Sequence, residues 1–492
     1  MSAPEADRRP DTTALAILAG LIVLALVLRF WRLGEWNLQA TEIFTLRDSV
    51  RPQFRNPRPL GYLLNYYVVR PFMPLDEFGL RLLPAIFGVL AVPSFYYVSR
   101  RLVSNRAALF GALLLAISPL LISYSQLARY WSLVFCLSTI YPYALYLGVR
   151  DRNNRALTLG LVTLVLGILA HPVSALAVVG PGLLLAANLR GERLKSLWNQ
   201  KAVRWAVLVA VLLAAAAVVR LLPILQRWIT EHDENPGSGQ FLTPPTGAPG
   251  VKQIVYILAF IDNLSLPVAA CSVVGLYLLW KVKDRTLAKY LISVAAVPIV
   301  FLTLISMRTP VSTYYLLPTV PVFLIGAGVF FDKLYEVDWG VRPQWLFPVT
   351  VLGVVIAASL PTLASDYRNG RRYDFRAAGR WLQKEAQPGD VAYSDQPLVL
   401  KHYLEGMDVE RLRYNVQPLE ASLRDVHRGS ETGAVWIVAP GLSHALRTNL
   451  KQGGLITWIY GNCQLRNTVG QGRVDFRQQY LQIYRCPPTT PG

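Results

Sequence analysis

The sequence predicts a polytopic α-helical membrane protein that carries a small C-terminal α/β domain. Of its 492 residues, 53% are hydrophobic and only 16% are charged, whereas about a quarter of the residues in soluble proteins are charged. Apolar runs that approach or meet the roughly 20 residues of a membrane-spanning helix recur along the first 365 residues. Beyond that point the long runs stop. We therefore divide the chain into a membrane domain, 1–365, and a second domain, 366–492.

About eleven apolar segments are predicted to cross the membrane. They lie near residues 12–30, 79–99, 107–123, 131–149, 156–170, 172–189, 204–222, 264–280, 290–306, 314–331 and 346–361. In the second domain the pattern changes to short strands between amphipathic helices. It predicts a helix at 375–385, strands at 391–394, 434–438 and 456–460, and a final pair of strands on either side of 470–473 that ends near residue 484.

The net charge of +19 reflects membrane topology and does not mark a nucleic-acid-binding face. Lys and Arg gather in alternate connections between the predicted spans, for example Arg100, Arg101 and Arg106. Because cytoplasmic loops are enriched in these residues, we expect a cytoplasmic N-terminus and, with an odd number of spans, an extracytoplasmic C-terminal domain. The first span lacks a small-residue cleavage site and is predicted to be an uncleaved anchor in the inner or plasma membrane.

The four cysteines fall into two pairs. Cys136 and Cys271 lie within predicted spans, where a buried thiol packs as a small apolar side chain. Cys463 and Cys486 lie in the second domain, which the predicted topology places in a compartment that permits disulfides. We predict a disulfide between Cys463 and Cys486. No spacing of Cys or His residues indicates a metal site.

Three polar segments are predicted at the outer face, and they carry a family resemblance. These segments and later stretches contain Thr41-Glu42, Arg81-Leu82-Leu83-Pro84, Gln126-Leu127-Ala128-Arg129-Tyr130, Ala170-His171, FLTPP at 241–245 and STYYLLP at 312–318. At these positions the chain resembles glycosyltransferase family 39, the protein mannosyltransferases, and the related bacterial aminoarabinose transferases of the GT-C type. The resemblance covers most of the membrane domain and is weaker in the second domain.

The resemblance implies transfer of a sugar from a polyprenyl phosphate to an acceptor at the outer face, with inversion at the anomeric carbon. Such a reaction needs a carboxylate that takes the acceptor's proton and a cation that stabilises the departing phosphate. Glu42 is the predicted base, and Arg129 is the predicted phosphate ligand because a guanidinium binds phosphate oxygens bidentately. Tyr130 is predicted to bind the same phosphate. Arg58, Arg81 and His171 are further candidates for the headgroup or the acceptor.

Each of these residues also has a structural interpretation. Arg129 can extend to the interface from the end of a span, and Glu42 can cap a helix. His171 can make a structural hydrogen bond in a turn, and Arg81 can pair with Asp76 or Glu77.

Two positions depart from the family pattern. The family usually has Asp-Glu where this chain has Thr41-Glu42, and its His-Pro-Pro segment reads Asn56-Pro57-Arg58-Pro59 here. The usual catalytic aspartate is thus replaced by threonine. If Glu42 is not the base, the next acids to consider are Glu35, Asp48 and Glu77.

Two other functions remain open at this point: a lipid-carrier transporter or flippase, and an inactive relative that binds the carrier lipid. The scarcity of ionisable residues in the middle of the spans argues against transport. We expect no cofactor, since the lipid-linked sugar is a substrate, and the first loop lacks an Asp-x-Asp pair for a metal-bound donor. The expected partners are the bilayer, the sugar donor and a lipid, glycan or protein acceptor, and no nucleic acid.

Overall fold

The structure is a computed structural model that describes residues 11–52, 58–188, 204, 252–306, 311–339, 343–369, 373–412, 434–440, 453–470 and 480–486. The membrane domain is helical throughout these ranges. Its helices are α1 (Thr12–Phe30), α2 (Ala40–Val50), α3 (Pro59–Leu64), α4 (Glu77–Ser99), α5 (Asn105–Ile117), α6 (Pro119–Ser125), α7 (Trp131–Ser138), α8 (Tyr141–Arg150), α9 (Asn154–Ala170), α10 (Leu176–Asn188), α11 (Lys252–Leu264), α12 (Leu266–Leu278), α13 (Arg285–Ser306), α14 (Val320–Glu336) and α15 (Leu346–Asn369).

Six helices in the described residues are long and apolar enough to cross a membrane, or up to eight if each of two bent pairs is one span. Ten of the eleven predicted segments coincide with helices of this domain. The remaining one, 204–222, lies outside the described residues except for its first residue. The helical membrane architecture is therefore confirmed, and the count of eleven spans stays a prediction.

Small residues let α14 pack closely against α12 and α5. A Cβ atom added to Gly275 of α12 would lie 1.8 Å from the carbonyl oxygen of Gly326 in α14. One added to Gly328 of α14 would lie 2.2 Å from the carbonyl oxygen of Ala107 in α5. Within a bilayer, helices associate through such close packing rather than through water exclusion. The glycines thus fix the centre of the helical bundle.

The bend between α5 and α6 directs the chain toward the loop that carries the predicted phosphate ligand. These two helices meet at 56°. Ser118 caps α6 by accepting a hydrogen bond from Leu121 N, and Pro119 occupies its first turn. Proline is well tolerated there because the first N–H groups of a helix have no intrahelical partner. The helix α6 then ends at Ser125, immediately before the 126–130 loop.

The second domain is built around one five-stranded sheet. Its elements are α16 (Phe375–Glu385), β1 (Val391–Ser394), α17 (Pro397–Tyr403), β2 (Asp408–Arg411), β3 (Val435–Pro440), α18 (Gly453–Asn462), β4 (Gln464–Val469) and β5 (Leu481–Cys486). The strand order is β2-β1-β3-β5-β4. The strands β2, β1 and β3 are parallel, whereas β5 is antiparallel to both β3 and β4. The α/β class of this domain is thus confirmed.

One detail of the predicted second domain is wrong. The segment 456–460 belongs to the helix α18, whose buried Ile456 and Ile459 are three residues apart and pack into the core next to the sheet. A short apolar run does not distinguish a strand from a buried helix. The final strand pair is confirmed, because β4 and β5 pair with each other, lie on either side of residues 470–473, and end at Cys486.

The disulfide partners lie at one end of this strand pair. Cys463 comes directly before β4, and Cys486 is the last residue of β5. The two are joined by a disulfide bond, as the sequence predicts. Cys136 and Cys271 are both free and buried.

The second domain contacts the membrane domain at the start of α2. Ala40 and Ile43 of α2 pack into the apolar cluster formed by α16, α17 and the sheet. The Tyr403 hydroxyl accepts a hydrogen bond from Leu38 N at 2.6 Å and donates to Glu77 at 2.8 Å. Arg376 forms an ion pair with the same Glu77 carboxylate at 2.6 Å. We call these contacts of Leu38, Glu77, Arg376 and Tyr403 the junction.

Candidate active site

Glu42 lies at the centre of a buried polar cluster. One carboxylate oxygen accepts hydrogen bonds from Arg81 Nε at 2.9 Å and Ala128 N at 2.7 Å. The other accepts from Arg81 Nη2 at 3.1 Å and Gln39 N at 2.8 Å. Both Glu42 and Arg81 are 0% exposed. A fully buried carboxylate that accepts four hydrogen bonds is better suited to hold its neighbours in place than to take a proton from a substrate.

Arg81 uses its remaining donors on the backbone before α2. Its Nη1 donates to the carbonyl oxygens of Leu33 at 3.1 Å and Trp36 at 2.7 Å, and its Nη2 donates to that of Asn37 at 3.0 Å. With Glu42, these contacts tie α4 to the 33–42 segment. A planar guanidinium suits this task because its donors point in fixed directions.

The prediction that Arg81 pairs with Asp76 or Glu77 is wrong about the partner. Asp76 accepts from Gly79 N at 2.8 Å and caps α4, while Glu77 belongs to the junction. The structural interpretation of Arg81 nevertheless fits, since its guanidinium is fully buried and makes five hydrogen bonds to Glu42 and the backbone.

Arg129 lies beside this cluster, next to Ala128. Its Nη1 donates to the carbonyl oxygen of Thr41 at 3.2 Å and to Thr45 Oγ1 at 3.4 Å. Glu42 and Arg129 therefore share one face of the protein, because Ala128 N binds the Glu42 carboxylate. This neighbourhood is the one that the sequence interpretation requires.

A pocket opens next to Arg129. It is lined by Arg58, Tyr62, Arg129, Tyr130, Trp131, Val134, Ala170 and His171. Among these residues no side chain is acidic, and two are arginines. Such a lining favours an anionic ligand. In the part of the chain that the structure describes, no group of three or more His, Cys, Asp or Glu residues is placed to hold a metal ion.

Tyr130 is held between α2 and the segment that begins with α3. Its hydroxyl lies 3.4 Å from Ser49 Oγ and accepts a hydrogen bond from Asn65 Nδ2 at 3.0 Å. Its ring meets that of Tyr62 edge-on, with the centroids 5.2 Å apart. A Cβ atom at Gly61 would approach the Tyr130 ring to 2.1 Å, so only glycine fits there. These contacts fix the position of the Tyr130 ring, which lines the pocket.

His171 lies in the turn between α9 and α10, outside the membrane-spanning helices. Its Nδ1 accepts a hydrogen bond from Val173 N at 3.1 Å. Its Nε2 is buried and has no hydrogen-bond partner among the described residues. Burial and the positive charges of Arg58 and Arg129 lower the pKa of His171 to about 3. The imidazole is therefore neutral at physiological pH.

The structure thus brings Arg58, Arg129, Tyr130 and His171 to one pocket, and it buries Glu42 and Arg81 behind that pocket. Sequence reasoning missed Thr45 and Ser49, whose spacing from Thr41 along α2 was the available signal. It also missed the ring stack of Trp131, Tyr314 and His171, although the STYYLLP stretch contained part of it. The FLTPP stretch at 241–245 lies outside the described residues.

The fold is shared with two solved membrane enzymes. ArnT from Cupriavidus metallidurans superposes with a TM-score of 0.58 at 14% identity, over 96% of this chain and 98% of that one. The oligosaccharyltransferase AglB from Archaeoglobus fulgidus superposes with a TM-score of 0.56 at 11% identity, over 87% of this chain and 69% of that one. No curated protein sequence matches the chain significantly.

A helical membrane domain with this fold, a polar pocket at one edge and a small α/β domain define the class of the protein. The chain is an integral multi-pass membrane protein whose fold is that of the GT-C enzymes named above. The family model of dolichyl-phosphate-mannose-protein mannosyltransferase matches residues 59–221, about a third of the chain. The resemblance seen in the sequence motifs is thereby confirmed.

Proposed function

We propose that the protein transfers a sugar from a polyprenyl phosphate to an acceptor hydroxyl, with inversion at the anomeric carbon. One observation carries this proposal: Arg58 and Arg129 line a single pocket that has no acidic side chain among its lining residues. A departing phosphate monoester is a dianion, and paired guanidinium groups stabilise it most as its charge develops. In support, the ArnT structure has been solved with undecaprenyl phosphate, and that of AglB with dolichol-phosphate.

We further propose that the reaction takes place at the outer face. The positive-inside bias sets the N-terminus in the cytoplasm and the second domain outside. The Cys463–Cys486 disulfide supports this orientation, because disulfides persist in oxidising compartments. The acceptor is then a lipid, glycan or protein that carries a hydroxyl group on the extracytoplasmic side.

The base that takes the acceptor's proton is a carboxylate of α2. Glu42 is the residue that the sequence predicts, but its oxygens already accept four hydrogen bonds. Asp48 lies on the same face of α2 as Thr41 and Thr45, because the three residues are spaced by four and three positions. Thr41 and Thr45 contact Arg129, and the Asp48 side chain is 26% exposed. Asp48 is therefore the alternative base, and Glu42 then acts by fixing α2 and the 126–130 loop.

The experiment uses purified full-length protein, radiolabelled polyprenyl-phosphate sugars and a membrane extract as the acceptor. Transfer releases free polyprenyl phosphate, and we expect Arg129→Ala to abolish this release. Lipid translocation without sugar transfer would contradict the proposal and favour a transporter. Unchanged turnover in Arg129→Ala would show that the pocket is not the phosphate site.

Two matched variants identify the base. If Asp48 is the base, Asp48→Asn abolishes turnover in a protein of normal stability. If Glu42 is the base, Glu42→Gln abolishes turnover and Asp48→Asn does not. Glu336→Gln, which alters an exposed acid 49% accessible in its side chain, controls for the loss of one negative charge.

A further inference from the structure

The two nitrogen atoms of His171 have different environments. Val173 N donates a hydrogen bond to Nδ1, so Nδ1 must carry a lone pair and not a proton. In a neutral imidazole the proton then lies on Nε2. His171 therefore presents an N–H group, and not a basic nitrogen, on its other side.

That N–H group is buried without a partner among the described residues. His171 is only 8% exposed, and it lines the same pocket as Arg58 and Arg129. Buried donors in folded proteins nearly always have an acceptor. An unpaired donor beside two guanidinium groups indicates that the acceptor comes from an anionic ligand.

Aromatic stacking fixes the direction of this donor. The His171 ring lies 4.6 Å from the Trp131 ring at an interplanar angle of 35°, and Trp131 in turn lies 4.5 Å from Tyr314. Tyr315 closes the side of the stack, 5.7 Å from His171. A ring held on one face by stacking and at Nδ1 by a hydrogen bond has little freedom to rotate, so its Nε2–H donor is preorganised.

The charges around the imidazole keep it neutral. Among the described residues, the titratable groups around it are Arg58 and Arg129, whose charges act on the ring, Tyr315, whose ring contacts it, and the pocket-lining Tyr62 and Tyr130, and none of these is a carboxylate. Both arginines disfavour a positive charge on the ring, which adds to the effect of burial. Its donor capacity therefore does not change between about pH 5 and pH 8.

We propose that His171 Nε2–H donates a hydrogen bond to a phosphate oxygen of the polyprenyl-phosphate carrier, beside Arg58 and Arg129, and that His171 is not a proton acceptor. This inference rests on the proposed function, and it adds an uncharged ligand to the phosphate site. A neutral donor lets the product phosphate leave more readily than a third cation would.

The test distinguishes the contribution of the aromatic ring of His171 from that of its Nε2–H donor. His171→Phe keeps an aromatic ring for stacking on Trp131 but removes the N–H group, whereas His171→Gln keeps an N–H donor near the position of Nε2. Binding of undecaprenyl phosphate to the purified full-length variants is measured by titration at pH 6 and pH 8. We expect roughly 10-fold or greater weakening in His171→Phe, the effect of losing one hydrogen bond to a charged group, and a change within about 3-fold in His171→Gln.

Equal binding by His171→Phe and the unchanged protein would overturn the inference, and so would equal loss in both variants when both retain normal thermal stability. So would tighter binding at pH 6 that is lost in His171→Gln, because that dependence would require a protonated imidazole. If Arg129→Ala and the His171 variants all bind undecaprenyl phosphate normally, the proposed phosphate site itself fails. If only the Arg129 variant weakens binding, the site stands and the role of His171 falls.

Discussion

The buried Glu42–Arg81 pair allows a quantitative prediction. Glu42→Gln keeps the side-chain shape but leaves the Arg81 guanidinium without its counter-charge at a site that is 0% exposed. It also turns one carboxylate oxygen, which accepts two hydrogen bonds, into an amide group that donates. Removing one partner of a buried ion pair costs about 3–5 kcal/mol. At an unfolding entropy of about 2 cal/mol/K per residue over 492 residues, the Tm should fall by about 3–5 °C.

The assay is thermal unfolding of the purified protein in detergent, followed by tryptophan fluorescence. Glu336→Gln is the matched control, because its partner Lys333 and Glu336 itself are partly exposed, and exposed pairs contribute about 0–1 kcal/mol. The double variant Glu42→Gln/Arg81→Met removes both charges, so its loss should be smaller than the sum of the two single losses. A Tm of Glu42→Gln within 1 °C of the unchanged protein, or strictly additive losses, would refute this reasoning.

Three further predictions concern other parts of the chain. Gly61→Ala should lower turnover by displacing the Tyr130 ring, whereas Gly20→Ala, where an added Cβ meets nothing within 4 Å, should leave turnover unchanged; equal rates would contradict the assigned contact. Cys463→Ser should destabilise the second domain by about 3 kcal/mol through loss of a cross-link spanning 23 residues, seen as faster proteolysis there, and an unchanged rate would contradict this effect. Burial raises the pKa of Asp395 to about 6, so its stabilising protonated form is lost as pH rises through 6; Asp395→Asn should therefore be more stable than the unchanged protein at pH 8, by at most about 3 kcal/mol, and no more stable at pH 4, whereas equal Tm differences at both pH values would argue against this titration.

The parts of the fold that could be predicted from the sequence are those whose conformation depends on their own residues and not on distant contacts. Long apolar runs predict helices in a membrane irrespective of their neighbours, so α1, α4 and α15 appear where they were expected. The segment 456–460 was mistaken for a strand because its helical conformation depends on packing against a sheet that other parts of the chain supply.

The sequence motifs named several residues that line the pocket but did not predict the contacts around them. The motifs identified Arg129 and His171 as members of one polar region, and both line the pocket. The pairing of Arg81 with Glu42 joins residues 39 positions apart, and local spacing favoured the nearer acids. Likewise, the four donors around the Glu42 carboxylate come from three separate segments, which no linear pattern reveals.

The junction bears on any attempt to exchange domains between relatives. A second domain taken from a relative would have to supply both a hydroxyl for Leu38 N and a cation for Glu77. Without these groups, Glu77 would lie at the new interface without a cationic partner, and the segment before α2 would lose the hydrogen bond from Leu38 N. Chimeras should therefore take residues 33–50 and the sheet of the second domain from the same protein, even though the two are distant from each other along the chain.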